Sequence, residues 1–200
     1  LLQWSLKDRE TLGKGPIIVC IDISGSMMGH REIWSKAIAF ALMNKASSEN
    51  RGFAAILFDG RVREIRYAMK SHTQQERMSS MMDIVSTFTG GGTSWEAPIR
   101  CVQEILEKVG DGSATCAGAL SELKELKRAD VIFITDGECE VSENFGNEWR
   151  EFREENELTC YGLLVGASHN WSESINTIAD KTWSGVLSDD AQALDLVLGE

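Results

Sequence analysis

Ile17-Ile18-Val19-Cys20-Ile21-Asp22-Ile23-Ser24-Gly25-Ser26 and, much later, Val131-Ile132-Phe133-Ile134-Thr135-Asp136-Gly137 are the stretches that decide the fold. Each is a continuous apolar run, the pattern of a strand buried on both faces. Each ends in an aspartate that opens a polar, glycine-bearing turn. Set side by side as parallel strands, the two runs deliver both carboxylates to the same carboxyl edge of one sheet. Open α/β sheets hold their ligands outside that edge. A third polar loop, Gly90-Gly91-Gly92-Thr93-Ser94, lies between the two runs in sequence.

Working outward, Arg31 to Glu49 carries two apolar rows, Ile33, Ala37, Ala41 and Trp34, Ile38, Leu42, at the i, i+4 spacing of an amphipathic helix. Phe53–Phe58 reads as a second strand and Asp59-Gly60 as a tight turn, with Val62–Tyr67 as the antiparallel hairpin partner. A polar helix is expected from Gln74 to Phe88. Another, Trp95–Val109, sets Ile99, Val102, Leu106 and Val109 on one face. After a glycine-bearing stretch, Gly110 to Gly118, a helix carrying Leu120, Leu123 and Leu126 leads into the strand Val131–Thr135. Phe145, Trp149 and Phe152 mark a further helix. Thr159–Val165 is a strand, Trp171–Ala179 a helix, Thr182–Leu187 a strand and Asp189–Leu198 a closing helix.

Strands alternating with helices predict an α/β fold: a doubly wound, mostly parallel six-stranded sheet with one antiparallel edge strand and helices on both faces. Residues 1–15 read as a lead-in segment from a longer protein, and residues 16–200 as one domain. Trp34, Trp95 and Trp149 are expected in the core. The acidic stretch from Glu148 to Glu157 is expected to face solvent.

Composition narrows the function. A formal charge of −11 argues against a nucleic-acid surface, which needs clustered Lys and Arg. No apolar run approaches the ~20 residues of a membrane span. Five cysteines include no CxxC pair, and the histidines (His30, His72, His169) are scattered, so zinc spacing is absent. Cys20 and Cys160 fall in apolar strand runs, where cysteine serves as a small hydrophobe. A reducing cytoplasm is the expected setting. The sequon-like Asn170-Trp171-Ser172 is short enough to arise by chance.

Asp22, Ser24 and Ser26 alternate along one short turn, so their side chains can converge. Thr93 and Asp136 join them from two further loops. Two carboxylates and three hydroxyls are oxygen donors suited to a hard divalent cation. Two acids at most balance a divalent charge, and a set in which one acts through water leaves a coordination position open. A serine hydrolase would show Gly-x-Ser-x-Gly, and a nucleotide site a glycine fingerprint; neither is present. A metal-dependent phosphohydrolase would need Glu138 or His30 as its acid or base.

Asp22-x-Ser24-x-Ser26, Thr93 after its glycines and the strand-terminal Asp136 together resemble the metal-ion-dependent adhesion site of von Willebrand factor A domains. The element order across residues 16–198 is similar to that fold. The resemblance implies Mg²⁺, or Mn²⁺, held by Ser24, Ser26 and Thr93, with Asp22 and Asp136 direct or through water. It implies a protein partner that offers Glu or Asp to the open position, and a non-enzymatic binding role. Met27-Met28-Gly29-His30 stands where adhesion receptors carry acids for a second cation, so one metal is expected. The wording from Val19 to Gly29 is similar to intracellular bacterial members resembling ViaA and CoxE-like proteins, which work beside MoxR-type AAA+ ATPases. An extracellular adhesion module is the alternative within the family.

Overall fold

A computed structural model describes residues 15–111, 128–166 and 174–185. The strands are β1 (Ile17–Asp22), β2 (Phe53–Phe58), β3 (Val62–Ala68), β4 (Asp130–Thr135), β5 (Thr159–Val165) and β6 (Lys181–Gly185). The helices are α1 (His30–Ser48), α2 (Gln74–Ser86), α3 (Glu96–Asp111) and α4 (Glu143–Glu155). Short 3-10 turns at Gly25–Met27 and Ser174–Thr177 complete the described elements.

The strands form one sheet in the order β3-β2-β1-β4-β5-β6. Only β3 runs antiparallel, paired with β2 through the expected hairpin; every other neighbouring pair is parallel. This is the predicted Rossmann-like arrangement. From β1 the chain winds outward to β2, and from β4 it winds the other way to β5. The β1/β4 pair is therefore the switch point of the sheet, the place where open α/β sheets hold their ligands.

Burial follows from strand alternation. Ile18 and Cys20 of β1 and Val131 and Phe133 of β4 pack with Ile99 and Val102 of α3 and with Phe145 and Trp149 of α4. Ile17, Val19 and Ile21, together with Ile132 and Ile134, face the opposite layer, where α1 supplies Ile38 and Leu42 and α2 supplies Met81 and Ile84. Both inner strands are buried along their whole length, as their unbroken apolar runs require. Trp95 and Trp149 are fully buried core residues. The Trp149 indole also donates to the Ile178 carbonyl at 2.9 Å. Trp34 is only partly buried against the second layer.

Several sequence expectations are corrected. Ile33 points outward, 66% exposed, because the core-facing stripe of α1 runs through Ser35, Ile38, Ala39, Leu42, Met43 and Ala46. Both apolar rows of that helix satisfy the i, i+4 rule, and only one can face the sheet. α2 ends at Ser86, short of Phe88; its start is fixed by a capping box between Thr73 and Glu76. Within the expected helix Trp171–Ala179, the described residues 174–179 hold the 3-10 turn Ser174–Thr177 and no α-helix. The lead-in segment up to residue 14, the helix with Leu120, Leu123 and Leu126, the closing helix, Cys116, His169 and Asn170 lie outside the described residues.

At the opposite, amino edge, buried Arg51 ties the two central strands together. Its guanidinium pairs with buried Asp130 at the start of β4 and donates to the Gly15 carbonyl just before β1. Removing one member of a buried ion pair leaves the other charge uncompensated in a low-dielectric interior. Arg51→Ala is expected to destabilise the domain by about 3–5 kcal/mol in urea unfolding, and replacing Arg51 and Asp130 together by apolar residues to cost less. A loss below about 1 kcal/mol in the single variant would show that the pair contributes little.

Candidate metal centre at the switch point

Three loops meet outside the carboxyl ends of β1 and β4. The first leaves β1 at Asp22 and turns through Gly25–Met27 before α1 begins at His30. Ser24 stays extended (φ −68°, ψ 169°) and forms an isolated parallel bridge with Gly91 of the second loop. The Gly25 amide donates to the Gly91 carbonyl at 2.9 Å, and the Gly90 amide to the Ile23 carbonyl at 3.1 Å. The approach is close enough to need small residues: a Cβ at Gly25 would lie 3.2 Å from the Gly90 oxygen. The third loop carries Asp136 and then Gly137, whose φ of 85° suits glycine.

The structure joins three of the five expected donors directly. One oxygen of Asp22 accepts from the Ser24 amide at 2.9 Å, and the hydroxyls of Ser24 and Ser26 lie 3.2 Å apart. Asp136 follows one strand over: the register pairs Ile21 with Ile134 and so brings Thr135 level with Asp22. The Thr135 hydroxyl donates to the other Asp22 oxygen at 2.7 Å and accepts from the Gly137 amide at 3.2 Å. Asp136 is reached from the first loop through Arg31. One guanidinium nitrogen donates both to Asp136, at 2.9 Å, and to the Ser26 carbonyl, at 3.1 Å. The other donates to the Gly166 carbonyl beyond β5, at 3.0 Å. Thr93 is half-buried in the second loop, and the Cys139 thiol makes a 3.8 Å contact to its carbonyl from the third.

Arg31 and Thr135 were not singled out in the sequence. Arg31 falls in the first turn of α1, which places it at the carboxyl edge, but helical spacing does not say where so long a side chain reaches. Thr135 could have been noticed, since it is a polar residue ending an otherwise apolar run. Of the neighbours considered earlier, Met27 is buried, whereas Met28, His30 and Glu138 are exposed, as is Glu140 two residues on. Among the described residues, no three or more His, Cys, Asp or Glu side chains cluster as a metal site. The candidate set holds two acids, and its other donors are hydroxyls.

The two acids are treated differently. Asp136 has the Arg31 cation beside it. Asp22 has neutral partners, the Ser24 amide and the Thr135 hydroxyl. Burial, the largest influence, pushes its carboxyl up to about 6; hydrogen bonds from Ser24 and Thr135 pull it down, and the nearby Asp136 charge adds to the rise.

Residues 17–138, more than half of the chain, match the von Willebrand factor type A domain. The chain belongs to that family. An uncharacterized protein of Methanocaldococcus jannaschii is 35% identical over 151 residues, covering 76% of this chain and 33% of that protein. The regulatory protein ViaA of Proteus mirabilis is 27% identical over 171 residues, covering 85% of this chain and 31% of ViaA. The chain thus spans about a third of the length of these curated relatives. Among solved structures, the SpRpn10 VWA domain superposes with a TM-score of 0.63 at 14% identity, covering 92% of this chain and 93% of that one. A von Willebrand factor type A protein from Catenulispora acidiphila gives 0.60 at 15% identity, covering 92% and 42%. At such identities these two likenesses carry the fold alone.

In this VWA domain the raised Asp22 value has a consequence for stability. A carboxyl that binds its proton more tightly when folded stabilises the fold fully below its unfolded value of 3.8, and that contribution is lost as pH rises through about 6. In chelator-treated protein, the unfolding free energy of the wild type is expected to fall relative to Asp22→Asn by about 2 kcal/mol between about pH 4 and pH 7. Parallel pH profiles for the two proteins would show that Asp22 titrates as an ordinary carboxylate.

Proposed function

We propose that this VWA domain is a Mg²⁺-dependent protein-interaction module that receives an acidic side chain of a partner. Asp22 carries this reading: a buried carboxylate at the switch point, held by neutral donors, with two serine hydroxyls turned toward one another beside it. Such a group gains from a cation, and the hard oxygen donors around it suit Mg²⁺ or Mn²⁺ rather than a soft metal. Ser24, Ser26 and Thr93 would hold the ion as neutral ligands. Asp22 and Asp136 would supply charge directly or through water. When bound, the ion offers an electrophilic position to a carboxylate from outside.

The surrounding residues organise the site for that exchange. Thr135 and the Ser24 amide fix the Asp22 carboxylate, while Arg31 and the Glu138 amide fix that of Asp136. Glu138 and Glu140 stand exposed nearby, so an incoming acid meets negative as well as positive charge. We further propose that the partner is a MoxR-type AAA+ ATPase or its substrate, and that the domain works in the cytoplasm without catalysis of its own. The likeness to ViaA and the wording from Val19 to Gly29 support the first point. Cys20 and Cys160, free thiols buried in β1 and β5, suit a reducing compartment. No helix among the described residues is long and apolar enough to cross a membrane.

Calorimetric titration with Mg²⁺ and Mn²⁺ tests the centre. Binding to the wild type is expected to weaken at least about tenfold in Ser24→Ala and to vanish in Asp22→Ala, with capture of a MoxR-type ATPase lost on chelation. Equal metal affinity in wild type and Asp22→Ala would refute the assignment. Chelator-resistant capture would refute the metal-dependent mode of binding.

A further inference from the structure

Asp59 follows β2, the strand adjoining β1, and is fully buried. In sequence it reads as half of a tight-turn pair, Asp59-Gly60, and its carboxylate does accept from the Arg61 amide at 3.1 Å. Most of its bonds serve something else. Both carboxylate oxygens accept from Nε of Arg63 at 2.8 Å. One also accepts from the Thr89 hydroxyl at 2.7 Å. The Asp59 carbonyl accepts from the Ser94 amide at 2.9 Å. Thr89 and Ser94 are the residues on either side of Gly90-Gly91-Gly92-Thr93, so both ends of the loop hang on one residue. The middle of the loop rests on it as well: a Cβ at Gly91 would lie 2.4 Å from an Asp59 carboxylate oxygen. Although burial pushes its carboxyl up, the bonds from Arg63 and Thr89 outweigh this and hold it below the ordinary range.

We infer that Asp59 is the positioning residue that sets Thr93 against the centre. The loop is gripped from two sides. Asp59 holds its ends, while the Ile23–Gly25 segment holds Gly90 and Gly91. Thr93, near the end of a triple-glycine loop that would otherwise sample many conformations, is thereby given one position. This inference rests on the metal reading proposed above for the choice of Thr93 as a donor. A turn-forming role alone would confine the effect of Asp59 to the β2–β3 hairpin.

Two variants separate these roles. Asp59→Asn keeps the size but loses the charge paired with Arg63. Thr89→Val removes one loop bond and leaves the hairpin intact. In metal-free protein, both are expected to speed hydrogen exchange at the Ser94 and Gly25 amides at least about tenfold, while the Asp130 amide in the central sheet keeps its protection. With Mn²⁺ alone as the probe, both are expected to weaken binding about tenfold in the wild-type background and to add nothing in a Thr93→Ala background. Unchanged Ser94 and Gly25 protection would overturn the inference, as would a loss of affinity that adds fully to that of Thr93→Ala. Loosened loop amides in a domain whose wild type binds neither Mn²⁺ nor Mg²⁺ would refute the metal centre, and with it the role assigned to Thr93. Asp59 would then be left as a loop anchor only.

Discussion

The parallel pairing of β1 with β4 is the constraint on which the rest of this structure depends. Both strands are covered on both faces, so their interior residues are apolar and polar residues stand only at their ends. Their polar chemistry is therefore pushed to the strand ends. The register then sets what meets there: with Ile21 opposite Ile134, Thr135 comes beside Asp22 and Asp136 emerges one residue further on. A slip of one residue would turn Ile18 and Cys20 toward α1 and Ile17 and Val19 toward α3, breaking both core layers. The alignment of the two acids is thus held by the whole apolar interior rather than by local bonds at the site.

Backbone contacts convert that alignment into a three-loop unit. The bridge between Ser24 and Gly91 extends the sheet one step beyond its strands, and at Gly91 a side chain would collide with Asp59. Arg31 spans from the Ser26 carbonyl to Asp136 and on to Gly166 at the exit of β5. A displacement at any of these loops is therefore felt by at least one other. This is a physical network of hydrogen bonds, and its stiffness lies in short connections between elements that the core already fixes.

The fold was largely legible because its signals are strong and local. Unbroken apolar runs marked β1, β2 and β4, Asp59-Gly60 marked the edge hairpin, and Thr159–Val165 was read with its observed bounds. The helices were located by period, and the buried faces of α3 and α4 with them, but for α1 the period did not choose the face. Ile33 and Ala37 satisfy the same spacing rule as Trp34 and Ile38, and a three-dimensional neighbour chooses between the two rows. Within the site, the convergence of Asp22, Ser24 and Ser26 was readable from alternation in one turn. Arg31 and Asp59 were not, for a common reason. Each acts through contacts distant in sequence, Arg31 on Asp136 and Asp59 on the loop after α2, and their immediate neighbours carry no sign of it.

Charge at the centre follows from the same economy. Asp22, Asp136 and Arg31 together carry one unit of net negative charge when both acids are ionised, with Glu138 and Glu140 exposed beside them. The fold can hold that much, because Arg31 compensates Asp136 directly and Asp22 can keep a proton up to about pH 6. Filling the three hydroxyl positions with carboxylates would raise the repulsion steeply at these short separations in a low-dielectric site. In the proposed centre, serine and threonine donors would avoid that cost while still presenting oxygen. On the metal reading proposed above, a divalent cation would turn the charge of Asp22, Asp136 and Arg31 taken alone from negative to positive. On that reading an acidic ligand would meet a positive group set within a rim that Glu138 and Glu140 keep negative.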